Sequence, residues 1–241
     1  VRKTSFFLIT LIIMVFAFQA GALELGAGLW LPEGVFESAG NRSFEGSLKV
    51  LTVPGSPLGI GPVALVSETN LGSNLNLGDL KTMIKDKTGK GFLYADFLVG
   101  IRMNLPIKLF GVSAQGLVSY GGTGFANVNL ANEDSSYFTS LYWGPRFRAQ
   151  LRKDIFGSLL RAVASYEFAP ELQGLRKKAE LGGELPDEVI SATLTNYRLG
   201  LEAHIPFATV GAGYRALELK DTVGGYKADF SGFYAEARVG F

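Results

Sequence analysis

The stretch Phe92–Asn104, FLYADFLVGIRMN, alternates without a break. Leu93, Ala95, Phe97, Val99, Ile101 and Met103 share one face. Tyr94, Asp96, Gly100, Arg102 and Asn104 share the other with Phe92 and Leu98. Strict period two at this length describes a strand lying between two different environments. Three more segments repeat it. In 155–168, Phe156, Leu160, Ala162, Ala164, Tyr166 and Phe168 oppose Gly157, Arg161, Ser165 and Glu167. In 197–205, Tyr197, Leu199, Leu201, Ala203 and Ile205 oppose Arg198, Gly200, Glu202 and His204. In 208–216, Ala208, Val210, Ala212, Tyr214 and Ala216 oppose Thr209, Gly211, Gly213 and Arg215.

Working outward, strands are expected at 23–31, 43–53, 58–67, 91–104, 107–120, 137–151, 155–168, 189–203, 207–217 and 229–241. Their connections alternate between short and long. Tight turns are expected at Pro54–Pro57, Asn104–Pro106, Arg152–Asp154 and His204–Pro206; long polar segments fall at 68–90, 121–136 and 169–188. Leu77–Ile84 and Glu171–Leu181 have the spacing of short loop helices. Pro62 and Pro145 fall inside expected strands, where a residue lacking an N–H marks a bulge or a register error. If 43–67 is a partly irregular excursion, the strand count drops from ten to eight.

The chemistry of the two faces separates the remaining options. A soluble β-barrel turns its charges outward. Here one face carries large aromatics and aliphatics, the other paired charges and glycines, as a lipid-facing wall around a polar interior requires. Most of these strands, at 11 to 15 residues, meet the roughly 9–11 that cross a bilayer at a tilt. Lipid also forces closure, because an open sheet edge would leave unpaired backbone groups in hydrocarbon. The expected fold is therefore all-β: a transmembrane antiparallel up-and-down barrel of about ten strands.

Residues 1–22 form a block of their own. Arg2 and Lys3 precede a nearly unbroken apolar run, Phe6–Phe18, and Ala20-Gly21-Ala22 offers small residues at a cleavage site. The apolar run falls short of the roughly 20 residues a spanning helix needs. We read 1–22 as a signal peptide, 23–241 as the barrel domain, and Val1 as an initiator residue from an alternative start codon. Without Arg2 and Lys3 the chain has 21 basic and 22 acidic residues, so nucleic acid is not an expected partner. Mean hydropathy is +0.21, spread over alternating positions. With no Cys there is neither a disulfide framework nor a lipoprotein anchor, and no cofactor is implied.

Phe233, Ala235, Ala237, Val239 and Phe241 occupy alternate positions, ending on the last residue. This resembles the terminal signature of bacterial outer-membrane β-barrel proteins. The resemblance implies residence in the outer membrane of a diderm bacterium, with outer-membrane lipid and the barrel-assembly machinery as partners. Phe233, Val239 and Phe241 would be the assembly signal. An even strand count puts both ends on the short-turn, periplasmic side, with five long loops outside.

Function then turns on the interior. Arg146, Arg148, Arg161, Arg198, Arg215 and Arg238 fall on the polar face, with Glu24, Glu167, Glu202 and Glu236 on strands nearby. Counting from the expected turns places Arg146, Arg148, Arg161 and Arg198 at similar heights. A basic ring would favour passage of small anionic solutes or ions. The preferred reading is an internal ion-pair network, since buried guanidinium groups need carboxylates. Gly100, Gly111, Gly144, Gly200, Gly211 and Gly213 would free space or relieve crowding in the lumen. A porin-like pore is the first functional expectation, and a closed structural or adhesive barrel acting through its loops is the second. Catalysis is not expected. The single His, His204, belongs to a periplasmic turn, away from the outer rim where a barrel hydrolase would need it. No metal-ligand spacing is present; Asp79, Asp86, Glu133 and Asp134 read as solvated loop residues.

Overall fold

The computed structural model describes residues 24–38, 41–60, 62–75, 90–109, 111–129, 136–157, 159–180, 183–184, 188–222 and 225–240. The expected signal peptide, the loop helix at 77–84 and Phe241 lie outside them. The alternating segments form β1 (Glu24–Ser38), β2 (Asn41–Ser47), β3 (Lys49–Ile60), β4 (Val63–Ser73), β5 (Lys90–Leu109) and β6 (Val112–Asn129). They continue as β7 (Ser136–Phe156), β8 (Leu160–Glu180), β9 (Gly183–Glu184), β10 (Glu188–Ile205), β11 (Ala208–Asp221) and β12 (Lys227–Gly240). Every pairing is antiparallel. β12 pairs with β1 from Glu24↔Gly240 to Glu37↔Lys227, and β8 pairs with β10, so the ring closes on ten strands. β2 and β3 line one edge of β1 in succession; between them the Leu48 N–H bonds the Pro32 carbonyl at 2.8 Å. β9 is a two-residue extension against β8.

Barrel geometry follows from the register. Stepping from Glu24 across each paired strand, through Gly100, Ser119, Arg146, Leu194 and Ala228, returns to β1 at Phe36, twelve residues further on. Ten strands with that stagger tilt by about 40°. About ten residues per strand then cross a hydrocarbon band of roughly 25 Å.

The two faces are inside out relative to a soluble barrel. Ile101 and Leu199 are 52% and 57% exposed, while Arg146 and Arg215 are 1% exposed. Outward aromatics cluster on neighbouring strands: Tyr120, Phe147, Phe168, Tyr166, Tyr197, Tyr214 and Phe233. Tyr214 and Phe233 meet edge to face at 5.7 Å. Phe156 and Phe207 stand exposed at the short-turn end. Aromatics at both interfaces are what a membrane barrel requires.

The strand count matches expectation, but three of the four tight turns move. Pro54–Pro57 lies within β3, where the register shifts between Gly55 and Leu58, and Pro62 is in the turn that follows. β5 likewise runs past Asn104–Pro106, through a shift between Leu105 and Lys108, and Gly111 is in the turn before β6. β7 passes Arg152–Asp154, and Gly157 and Leu159 are in the turn that follows. The prolines mark bulges, which tolerate a missing N–H. The latter two turns fall where Gly111 (φ 75°) and Gly157 (φ 56°) supply positive φ. Gly111 is thus a turn residue and not a lumen glycine. The His204–Pro206 turn holds to within a residue, with Phe207 at φ 72°. Pro145 sits in β7 beside a register shift between Trp143 and Phe147.

At the opposite end the expected long loops shrink. β4 continues to Ser73, β6 to Asn129 and β8 to Glu180, so the stretches left between strands there are shorter than expected. Glu171–Glu180 is strand, not helix: Leu172 and Gly174 are buried while Gln173 and Leu175 are exposed.

Candidate functional site: the barrel interior

The inward side chains form three tiers. The outermost is apolar. Phe36, Phe92, Phe125 and Phe230 are at most 1% exposed, with ring centroids 5.4–6.2 Å apart. Phe44 stacks on Phe92 at 4.4 Å, and Tyr226 reaches Phe36 from the β11–β12 connection at 6.2 Å. Every barrel strand except β4 supplies a residue to this cluster, including Val50, Tyr94, Tyr142, Leu172, Leu194 and Leu219. Large rings drawn from all round the wall fill the cross-section as a packed core. None of these residues was a candidate from sequence. Phe125 and Leu172 lie in segments expected to be loops, and Phe36 lies beyond the expected end of the first strand.

Beneath the rings is a buried ionic layer. Arg146 donates to Asp96 at 2.7 Å, to Glu167 at 3.4 Å and to Thr123 Oγ1 at 2.6 Å. Thr123 in turn donates to Asp96 at 2.7 Å. Arg148 donates to Glu167 Oε2 at 2.7 Å and to Glu68 Oε2 at 2.9 Å, while Arg198 donates to Glu68 Oε1. Arg215 lies 4.0 Å from Glu68 and donates to Asn196 Oδ1 at 3.2 Å and Asn70 Oδ1 at 3.0 Å. Its guanidinium sits 4.4 Å over the Trp30 ring, a cation–π contact between the two tiers. Asn70 completes the layer by donating to Glu68 at 3.2 Å and Asp96 at 3.0 Å.

Two organising carboxylates of this layer, Glu68 and Asp96, were not among the candidates. Asp96 stood on the polar face of the deciding stretch, so its sequence signal was present. Glu68 fell one residue past an expected strand, where it read as loop.

The innermost tier opens toward the short turns. Arg238 bridges Glu202 at 3.0 Å and Glu24 at 3.5 Å and also bonds Glu236. Arg102 approaches Glu24 at 3.8 Å, and Arg152 approaches Glu202 at 3.6 Å. Arg161 stands apart from the other arginines, at the rim, bonded to Asp154 at 2.6 Å and to His204 Nε2 at 2.8 Å. It does not share the height of Arg146, Arg148 and Arg198, because the β7–β8 turn falls later than expected. His204 Nδ1 lies 2.8 Å from Thr209 Oγ1. Glu24, Arg102, Arg152, Glu202, His204 and Arg238 border a cavity of about 590 Å³. Phe233 and Val239, expected from the sequence to belong to an assembly signal, face outward and are exposed.

A closed ten-stranded barrel with an apolar exterior, interfacial aromatics and a charged interior has the fold of the bacterial outer-membrane β-barrels. One solved structure agrees in fold. The outer-membrane protease OmpT of Escherichia coli superposes with a TM-score of 0.54 at 8% identity, covering 90% of this chain and 97% of that one. The translocator domain of the autotransporter NalP of Neisseria meningitidis matches at 0.42 and 12% identity, over 100% of this chain and 98% of its own. Neisserial surface protein A matches at 0.33 and 13%, over 90% and 96%. No protein-family model and no curated protein matches the chain.

Proposed function

We propose that this chain is an outer-membrane barrel with a closed lumen, serving as a structural or adhesive surface protein and not as a passive pore. One observation carries the reading: the apolar tier, built from almost every strand, blocks the cross-section directly above an ionic layer in which Glu68, Asp96 and Glu167 tie Arg146, Arg148, Arg198 and Arg215 together. A conducting pore needs continuous polar surface and water; stacked phenylalanines at most 1% exposed offer neither. The pore expectation rested on a basic ring of lumen arginines, and those arginines are bonded to carboxylates here. Ten lies close to the eight-strand limit at which side chains fill a barrel.

In this reading the strands that continue beyond the lipid-facing bands of β6, β7 and β8 carry the contact surface. No catalytic role is assigned, and the only histidine lies at the short-turn rim. Outer-membrane lipid surrounds the wall, and the alternation ending at Phe241 addresses the chain to the assembly machinery after cleavage near Ala22. The test is solute efflux from vesicles holding the refolded protein, with insertion verified by heat-modifiable gel migration. Efflux no faster than from empty vesicles supports closure; efflux graded by solute size would overturn it and restore the pore.

A further inference from the structure

The innermost tier contains a chain of charges: Arg102, Glu24, Arg238, Glu202, Arg152. The central Arg238 is hydrogen-bonded to carboxylates, and the arginines at the two ends are not. Arg238 takes Glu202, Glu24 and Glu236. The terminal arginines reach their glutamates only at 3.8 and 3.6 Å, beyond hydrogen-bond length. The Nε of each is buried without a hydrogen-bond partner, as is that of Arg238, but Arg238 alone of the three bonds carboxylates through its other nitrogens. A guanidinium stays protonated and presents five donors in a planar fork, so two such groups retain most of their bonding capacity.

Both groups face open space. Arg102 and Arg152 border the cavity of about 590 Å³, a volume within the usual range of ligand pockets. That cavity is lined by three arginines against two glutamates, and Arg238 bonds both glutamates. The apolar tier closes the far side, so whatever enters comes from the short-turn, periplasmic side.

We propose that Arg102 and Arg152 form a binding site for a small oxyanion, a carboxylate or a phosphate group, carried by a molecule entering the vestibule from the periplasm. A guanidinium suits either ion, because both accept two parallel N–H bonds, and the two groups border the same cavity. The side of entry rests on the closed-lumen reading, but efflux tests closure and anion binding tests the site, so either fails alone.

The test is isothermal titration of the folded, detergent-solubilised barrel with sodium acetate and, separately, inorganic phosphate. Saturable one-to-one binding is expected, weakened about tenfold or more in R102Q/R152Q. R161Q, which alters a guanidinium already held by Asp154 and His204, should bind as wild type. Tighter acetate assigns a carboxylate ligand, and tighter phosphate assigns a phosphate ligand. Each variant is checked for heat-modifiable migration. Should the double variant not fold, R152K, which keeps the charge and loses the fork, should bind several-fold more weakly. Absence of saturable binding by either anion, or undiminished binding in the arginine variants, overturns the site.

Discussion

Replacing Glu68 by Ala removes the carboxylate that accepts from Arg148 and Arg198 and lies 4.0 Å from Arg215. Arg148 keeps Glu167, and Arg215 keeps Asn196, Asn70 and the Trp30 ring. Arg198 loses its bonded carboxylate with its side chain 13% exposed. A buried ion stripped of its partner costs about 3–5 kcal/mol, whereas an exposed pair is worth about 0–1 kcal/mol. The magnitude therefore reports whether water fills the lumen. The assay is reversible urea unfolding from lipid vesicles, followed by the fluorescence of Trp30 and Trp143. E68A should lose about 3–5 kcal/mol, and E68L/R198M should regain part of it, because the uncompensated charge is then gone. A loss below about 1 kcal/mol for E68A would refute the dry ionic layer, since only a solvated network gives up so little.

Three other substitutions test the remaining tiers and the wall. F230A empties a ring that is 1% exposed in the apolar tier and should cost about 3–5 kcal/mol in the same assay. F233A, on a side chain 74% exposed to the outside, should cost far less than F230A; equal losses would place the core elsewhere. I101R, in the middle of the lipid-facing run Leu93–Leu105, should cost about 2–4 kcal/mol, and F207R at the short-turn tip about 0–1 kcal/mol. If these two cost the same, the membrane band has been misplaced.

How much of this was legible depends on what each segment faces. Where a strand crosses lipid, every second residue must be apolar, so Leu93–Met103 and Tyr197–Ile205 declared their faces and the ten-strand count followed. Above the bilayer that demand ends while backbone pairing continues. Residues 121–129 and 169–180 are strand, yet their outward positions include Gly122, Gly124 and Gln173, which read as loop. Proline misled at the other end, because Pro54 and Pro57 look like a turn but sit in a strand through a bulge. The arginines were visible one by one. Their partners are set by closure: Glu68 meets Arg148 and Arg198 across 80 and 130 residues of sequence, a separation no local pattern encodes. The apolar tier was hidden for the same reason, its rings converging from strands that are neighbours only once the barrel closes.

Single-channel recording in planar bilayers tests the closed lumen most directly, using protein whose fold is verified by heat-modifiable migration and by protease protection of the strands. The closed reading predicts silent bilayers for the wild type. Discrete conductance steps whose ion selectivity shifts in R146Q and R198Q would contradict it, and would make the arginine layer the lining of a pore.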